Sequence, residues 1–232
     1  MPDALLRSSA VDAFLAKARA GIRPQLGGDA APSGRGRLIF AVDGTASRQP
    51  SWDLATGLTV EMFQEAGAIG GLEMQLVYFR GAYEFRSTGW VSDSAPLIRL
   101  MGAIHCESGP TQIGKVLLHA QRENSRQNVA ALVFVGDAVE EGADGLLALA
   151  RALGAAGTRA FMFLEGDEPR ARRLFADMAM LSGGAFSSFG PGAADKLREL
   201  LRAVAAVAAG GIEALEARQD SASVLLLTQM RH

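Results

Sequence analysis

Cysteine is nearly absent: Cys106 is the single one in 232 residues, which excludes an intrachain disulfide and any multi-cysteine zinc site. Such sparse use fits a reducing compartment. A surplus of charge is missing too. Lysine and arginine number 23 against 25 acids, and the formal net charge of −2 supplies no basic excess for nucleic acid or an anionic membrane. The local cluster Arg170, Arg172 and Arg173 reads as a solvated helix face. No stretch approaches the roughly 18 apolar residues of a membrane span, and no amino-terminal run has the form of a signal peptide. These absences lead to the expectation of a soluble cytoplasmic protein with neither a nucleic-acid nor a membrane partner.

Nucleotide-binding signatures are lacking as well. No G-x-G-x-x-G follows a strand, and GPTQIGK from Gly109 to Lys115 satisfies G-x-x-x-x-G-K only in part. The next residue is Val116 where a phosphate loop carries Ser or Thr for magnesium, and no buried strand leads into it.

What is present suits one sizeable α/β domain: 49% of residues are hydrophobic and 21% charged. Residues 5–20 place Val11, Phe14, Leu15 and Ala18 on one face of an expected amphipathic helix, docked on the main body. Pro and Gly then punctuate an aperiodic linker over 21–36. The expected organisation is an N-terminal helical extension over 1–20, that linker, a main domain over 37–209, and a C-terminal helix and tail over 210–232.

Within the main domain, apolar runs alternate with segments of helical spacing. Leu38 to Val42, Leu72 to Arg80, Val129 to Val135, TRAFMFLEG and AFSSF read as strands. The stretch from Tyr83 to Trp90, after the Gly81-Ala82 turn, reads as the hairpin partner of its predecessor and as the one antiparallel edge. Intervening helices of crossover length predict a doubly wound, mostly parallel sheet with helices on both faces. Ser51 or Asp53 is expected to cap the first helix, and Gly210-Gly211 to break the closing one.

Three loop ends carry oxygen. The first strand delivers Asp43, Thr45 and Ser47 beyond its carboxyl end, Thr111 precedes a helix, and Asp137 follows the strand ALVFVG. In open α/β sheets ligands bind beyond the carboxyl ends of strands, and alternate hydroxyls and acids there suit a hard divalent cation. Each residue also has an ordinary reading: Ser and Thr after strands cap helices or form turns, and an Asp at a strand end caps the next helix.

Taken together, DGTAS, SGPTQIGKVL and ALVFVGD resemble the metal-ion-dependent adhesion site of von Willebrand factor type A (VWA) domains. The family pattern is D-x-[ST]-x-S, then a threonine, then an aspartate at a later strand end, and the resemblance covers about residues 37–207. It implies a Rossmann-like VWA fold of the stand-alone bacterial cytoplasmic type, binding Mg²⁺ or Mn²⁺. By that resemblance Thr45, Ser47 and Thr111 coordinate directly or through water, while Asp43 and Asp137 act mainly through water or hydrogen bonds. The last position is left to a carboxylate of a protein partner. Two departures stand out: Thr45 occupies a position where serine is more usual, and Ala138 follows Asp137 where many relatives have glycine.

The same letters admit a competing class, a metal-dependent hydrolase or phosphotransferase on a similar sheet. FAVDGT is similar to phosphotransferases of the haloacid dehalogenase class, but their nucleophilic carboxylate falls on Ala41, which forms no aspartyl-phosphate. His105 beside Cys106, His119 and His232 have no evident partners, and no general acid/base pair stands out. The expectation is a non-enzymatic binding module.

Overall fold

A computed structural model describes residues 35–190 and 193–230. The expected helix over 5–20 and the linker up to residue 34 lie outside those residues. The sheet contains β1 (Gly36–Asp43), β2 (Leu72–Arg80), β3 (Glu84–Ser87), β4 (Ala131–Gly136), β5 (Arg159–Glu165) and β6 (Ala185–Phe189). Their order is β3-β2-β1-β4-β5-β6. All neighbours pair in parallel except β2 and β3, whose Arg80↔Glu84 register forms the antiparallel edge.

Both faces of the sheet are buried, so the central strands are continuously apolar rather than alternating with polar residues. Side chains still alternate between the faces. Leu38, Phe40 and Val42 of β1 enter one core, while Ile39 and Ala41 enter the other. The first core is covered by α1 (Gln49–Gly67), α2 (Ser94–Met101), α6 (Ala194–Glu216) and α7 (Ser221–Met230). The second is covered by α3 (Ile113–Arg126), α4 (Ala143–Ala155) and α5 (Pro169–Leu181). A ring ladder fills the second core, with Phe79 stacked on Phe134 at 6.2 Å and Phe175 edge-on to Phe134 at 5.5 Å. In the first core, the fully buried Trp52 donates its indole N–H to the Met101 carbonyl at 2.9 Å. That bond satisfies the polar atom of an otherwise apolar side chain.

Local chemistry accounts for some element boundaries. Asp93 caps α2 by accepting the Ala95 N–H, and Gly211, at φ +74°, interrupts α6 where the glycine pair predicts a break. The start of α1 differs from expectation. A 3₁₀ turn over Ala46–Arg48 leads directly into a helix beginning at Gln49, so Ser51 and Asp53 lie inside the helix. Asp53 there accepts the Gln49 side-chain amide at 2.8 Å instead of capping. At the carboxyl end, Leu226 is buried while Val224 remains 56% exposed, so the apolar run from Val224 to Leu227 is only partly covered. The Gln229 amide accepts the Phe186 N–H at 2.8 Å and donates to the Phe186 carbonyl at 2.9 Å. It thereby occupies backbone groups of edge strand β6 that would otherwise be open to another chain.

Candidate metal centre

From β1 the chain winds one way to β2 and β3 and the other way to β4, β5 and β6. The switch point therefore lies between the carboxyl ends of β1 and β4, where open α/β sheets form their binding crevice. Asp43 is the last residue of β1, and Asp137 directly follows β4. Topology alone brings the two acids to one crevice.

Asp43 is wholly buried, and its Oδ1 accepts the Thr45 N–H at 2.8 Å. This side-chain-to-backbone bond folds the loop back on the strand end. Thr45, extended at φ −71° and ψ 161°, leads into the 3₁₀ turn that lifts Ser47 into an exposed position. The Thr45 and Ser47 hydroxyl oxygens stand 3.5 Å apart. Ser47 then donates its proton to Asp137 Oδ2 at 2.7 Å. Four of the five expected residues are thus linked by side-chain contacts or an Asx-type bond.

Thr111 is buried nearby but is held differently. Its N–H donates to the Glu140 carboxylate at 3.1 Å, and its hydroxyl accepts the Glu140 N–H at 3.1 Å. It therefore sits against the loop that carries Asp137 without a hydrogen bond to the other four residues. Neither ordinary capping role applies. Gln112 is the N-cap of α3 and uses no side-chain bond, and Asp137 turns to Ser47 while α4 begins only at Ala143.

Sequence reasoning missed Glu140, Glu141 and Gln49. Glu141 receives the Ile113 and Gly114 N–H groups at 2.6 and 2.8 Å, capping α3 from a different loop. Gln49 accepts the Cys106 N–H at 2.9 Å. An acid pair before a helix signals favourable first-turn charge on that helix; nothing in its spacing reveals service to another. The 102–112 loop is further fixed by Glu107 N–H to Gly44 O at 2.9 Å and Gly81 N–H to Glu107 O at 3.0 Å. Gly109 lies against the Gly81 backbone so closely that an added Cβ would fall 1.9 Å from its carbonyl oxygen. Arg80 donates to the His105 carbonyl at 2.6 Å. Burial opposes its charge, but the hydrogen bond and charge of Glu84 outweigh that and hold the guanidinium above its ordinary value.

The donor set fits a hard cation. All five side chains offer oxygen, and among the described residues no cluster of three or more His, Cys, Asp or Glu is placed to hold a metal. A cation at this crevice would draw most of its coordination from hydroxyls and water. Because Ser47 donates its O–H to Asp137, it can only accept in the 3.5 Å contact with Thr45, and one oxygen lone pair remains able to bind a cation. Neighbouring oxygens of an octahedron with bonds of about 2.1 Å stand about 3.0 Å apart, so the Thr45–Ser47 spacing of 3.5 Å needs only a small closure.

No protein-family model matches the sequence, and a search of curated proteins finds no match. Solved structures do resemble it. The SpRpn10 VWA domain is 16% identical, with a TM-score of 0.56, covering 76% of this chain and 98% of that one. An aerotolerance-related membrane protein from Bacteroides fragilis, carrying multiple mutations to serine, is 15% identical at a TM-score of 0.55, covering 71% and 96%. Proximal thread matrix protein 1 from the mussel byssus, with a zinc-occupied adhesion-site motif, is 15% identical at 0.54, covering 74% of this chain and 45% of that one. This chain has the von Willebrand factor type A fold. Among the described residues, no helix is long and apolar enough to cross a membrane.

Proposed function

We propose that this chain is a metal-dependent protein-binding module, not an enzyme, which uses Asp43, Thr45, Ser47, Thr111 and Asp137 to hold Mg²⁺ or Mn²⁺. The observation that carries the reading is the 2.7 Å hydrogen bond from Ser47 to Asp137. It joins the two strand-end loops at the switch point and leaves a Ser47 lone pair for a ligand. The cation would supply a Lewis-acidic centre for the carboxylate of an Asp or Glu on a protein partner. Asp43 orients the loop through the Thr45 N–H, the three hydroxyls present neutral oxygens, and Asp137 fixes the Ser47 rotamer. With few anionic donors of its own, such a site retains affinity for an incoming acid.

In this reading residues 37–209 form the binding domain, with the preceding helical extension over 1–20, the linker over 21–36 and the helix and tail over 210–232 as appendages. The setting is cytoplasmic. The zinc-occupied site of the mussel protein makes a divalent ion reasonable at this crevice and adds Zn²⁺ to the ions worth testing. Calorimetry on chelator-treated protein tests the reading: Mg²⁺ or Mn²⁺ should bind, and Asp43→Ala should abolish the heat. Equal binding by wild type and Asp43→Ala, or none by wild type, overturns it.

A further inference from the structure

The loop from Asp137 to Glu141 grips two separate parts of the chain, the DGTAS loop and the segment 111–114. Asp137 holds Ser47, Glu140 holds Thr111 through both of its polar groups, and Glu141 holds the first two N–H groups of α3. Thr111 has no side-chain partner in the DGTAS loop. Its location is therefore set by Glu140 and, two residues on, by Glu141.

We infer that Glu140 is a positioning residue for Thr111, fixing its hydroxyl toward the cation site of the proposed function, on which this inference rests. The geometry is reciprocal. The Glu140 carboxylate accepts the Thr111 N–H at 3.1 Å, while the Glu140 N–H donates to the Thr111 hydroxyl at 3.1 Å. With that N–H on one lone pair, the hydroxyl oxygen keeps a second lone pair and a rotatable proton. The backbone clasp prevents Thr111 from turning its oxygen to the N–H groups of α3, which Glu141 already occupies. The capping position belongs to Gln112, which makes no side-chain cap bond; Glu141 takes that duty and Glu140 holds the threonine. Residues that orient a metal ligand typically matter to affinity by an order of magnitude or more.

The side chain of Glu140 is exposed, so its replacement should leave the fold intact. The test uses the full chain, Mn²⁺ alone as probe, and calorimetry on wild type, Glu140→Ala, Glu140→Gln, Thr111→Ala and the double variant Thr111→Ala/Glu140→Ala. Glu140→Ala should weaken Mn²⁺ binding about tenfold. Glu140→Gln, which keeps an accepting oxygen but removes the charge, should stay within about twofold of wild type. The double variant should bind no more weakly than Thr111→Ala, because the two residues act as one unit. In metal-free protein, amide exchange at Thr111 should quicken in Glu140→Ala and not in Glu140→Gln.

Wild-type binding together with unaltered binding by Glu140→Ala overturns the inference and leaves the proposed function standing. Equal weakening by Gln and Ala shows that the charge acts through space, and additive losses show independent action; either overturns it. No Mn²⁺ binding by wild type removes both the function and the inference, whatever the Thr111 exchange rates.

Discussion

Ser47 and Asp137, 90 positions apart in sequence, are joined by a hydrogen bond of 2.7 Å from hydroxyl to carboxylate. The bond ties the exit of β1 to the exit of β4. Ser47→Ala should abolish or weaken Mn²⁺ binding by at least about tenfold, since it removes one donor and frees Asp137. Because Ser47 is exposed, the same change should cost no more than about 1 kcal/mol of stability. Titration calorimetry and urea denaturation of the metal-free protein measure the two effects separately.

Metal itself should stabilise the fold. A ligand that binds only the native state at a hundred times its Kd adds about 2.7 kcal/mol. For a chain of this size each kcal/mol raises the melting temperature by about 2–4 °C, so saturating Mn²⁺ should shift it by about 5–11 °C. Chelator should reverse the shift, and Asp43→Ala should remove it. Differential scanning fluorimetry across a metal series reads the outcome.

The aromatic ladder beneath the site should dominate local stability. Phe134 is fully buried between Phe79 and Phe175, three residues before Asp137. Phe134→Ala should cost about 3–5 kcal/mol through lost burial and the cavity left behind, whereas Phe134→Leu should cost less. Urea midpoints at constant slope provide the check.

Stability should also fall at mildly acidic pH through His119. Its ring is half-buried against Phe85 and hydrogen-bonded to the Gln75 side chain at 2.7 Å. Burial lowers its pKa below the ordinary 6.5; Glu123 opposes the shift and Arg126 and Arg122 add to it. In the unfolded chain the imidazole therefore takes up its proton first. The unfolded state binds more protons as pH falls through 6.5, so stability is lost from there down to the lowered native pKa and is unaffected above. His119→Gln should flatten that part of the pH profile, as followed by urea unfolding between about pH 7 and pH 5.

Gly109 offers a purely steric check on the site's second loop. A Cβ there would fall 1.9 Å from the Gly81 carbonyl oxygen, so Gly109→Ala must push the loop off the β2–β3 turn. A loss of about 1–3 kcal/mol is expected. Mn²⁺ affinity should drop with it, because Thr111 lies two residues on. Gly57→Ala, inside α1 with open space around the added carbon, should lower neither quantity and serves as the control.

The hydrophobic pattern made the sheet legible. Leu38 to Val42 and Ala131 to Val135 are apolar at every position because both faces are covered, and that signal needs no knowledge of neighbours. The break at Gly211 was likewise local. The start of α1 was not. Nothing in QPSWD separates a helix beginning at Gln49 from one capped by Ser51, because the preceding 3₁₀ turn and the Gln49–Cys106 bond depend on a loop 57 residues away.

The order and type of the oxygen-bearing residues, and the strands that end in Asp43 and Asp137, were set by the sequence alone, because strand identity and chain order are local properties. Only the tertiary structure decided how the five residues relate. The switch between β1 and β4 places Ser47 on Asp137, and Thr111 is reached through Glu140 while Glu141 takes the first N–H groups of α3. These are hydrogen bonds between loops tens of residues apart, and their partners are chosen by packing of the sheet rather than by spacing along the chain.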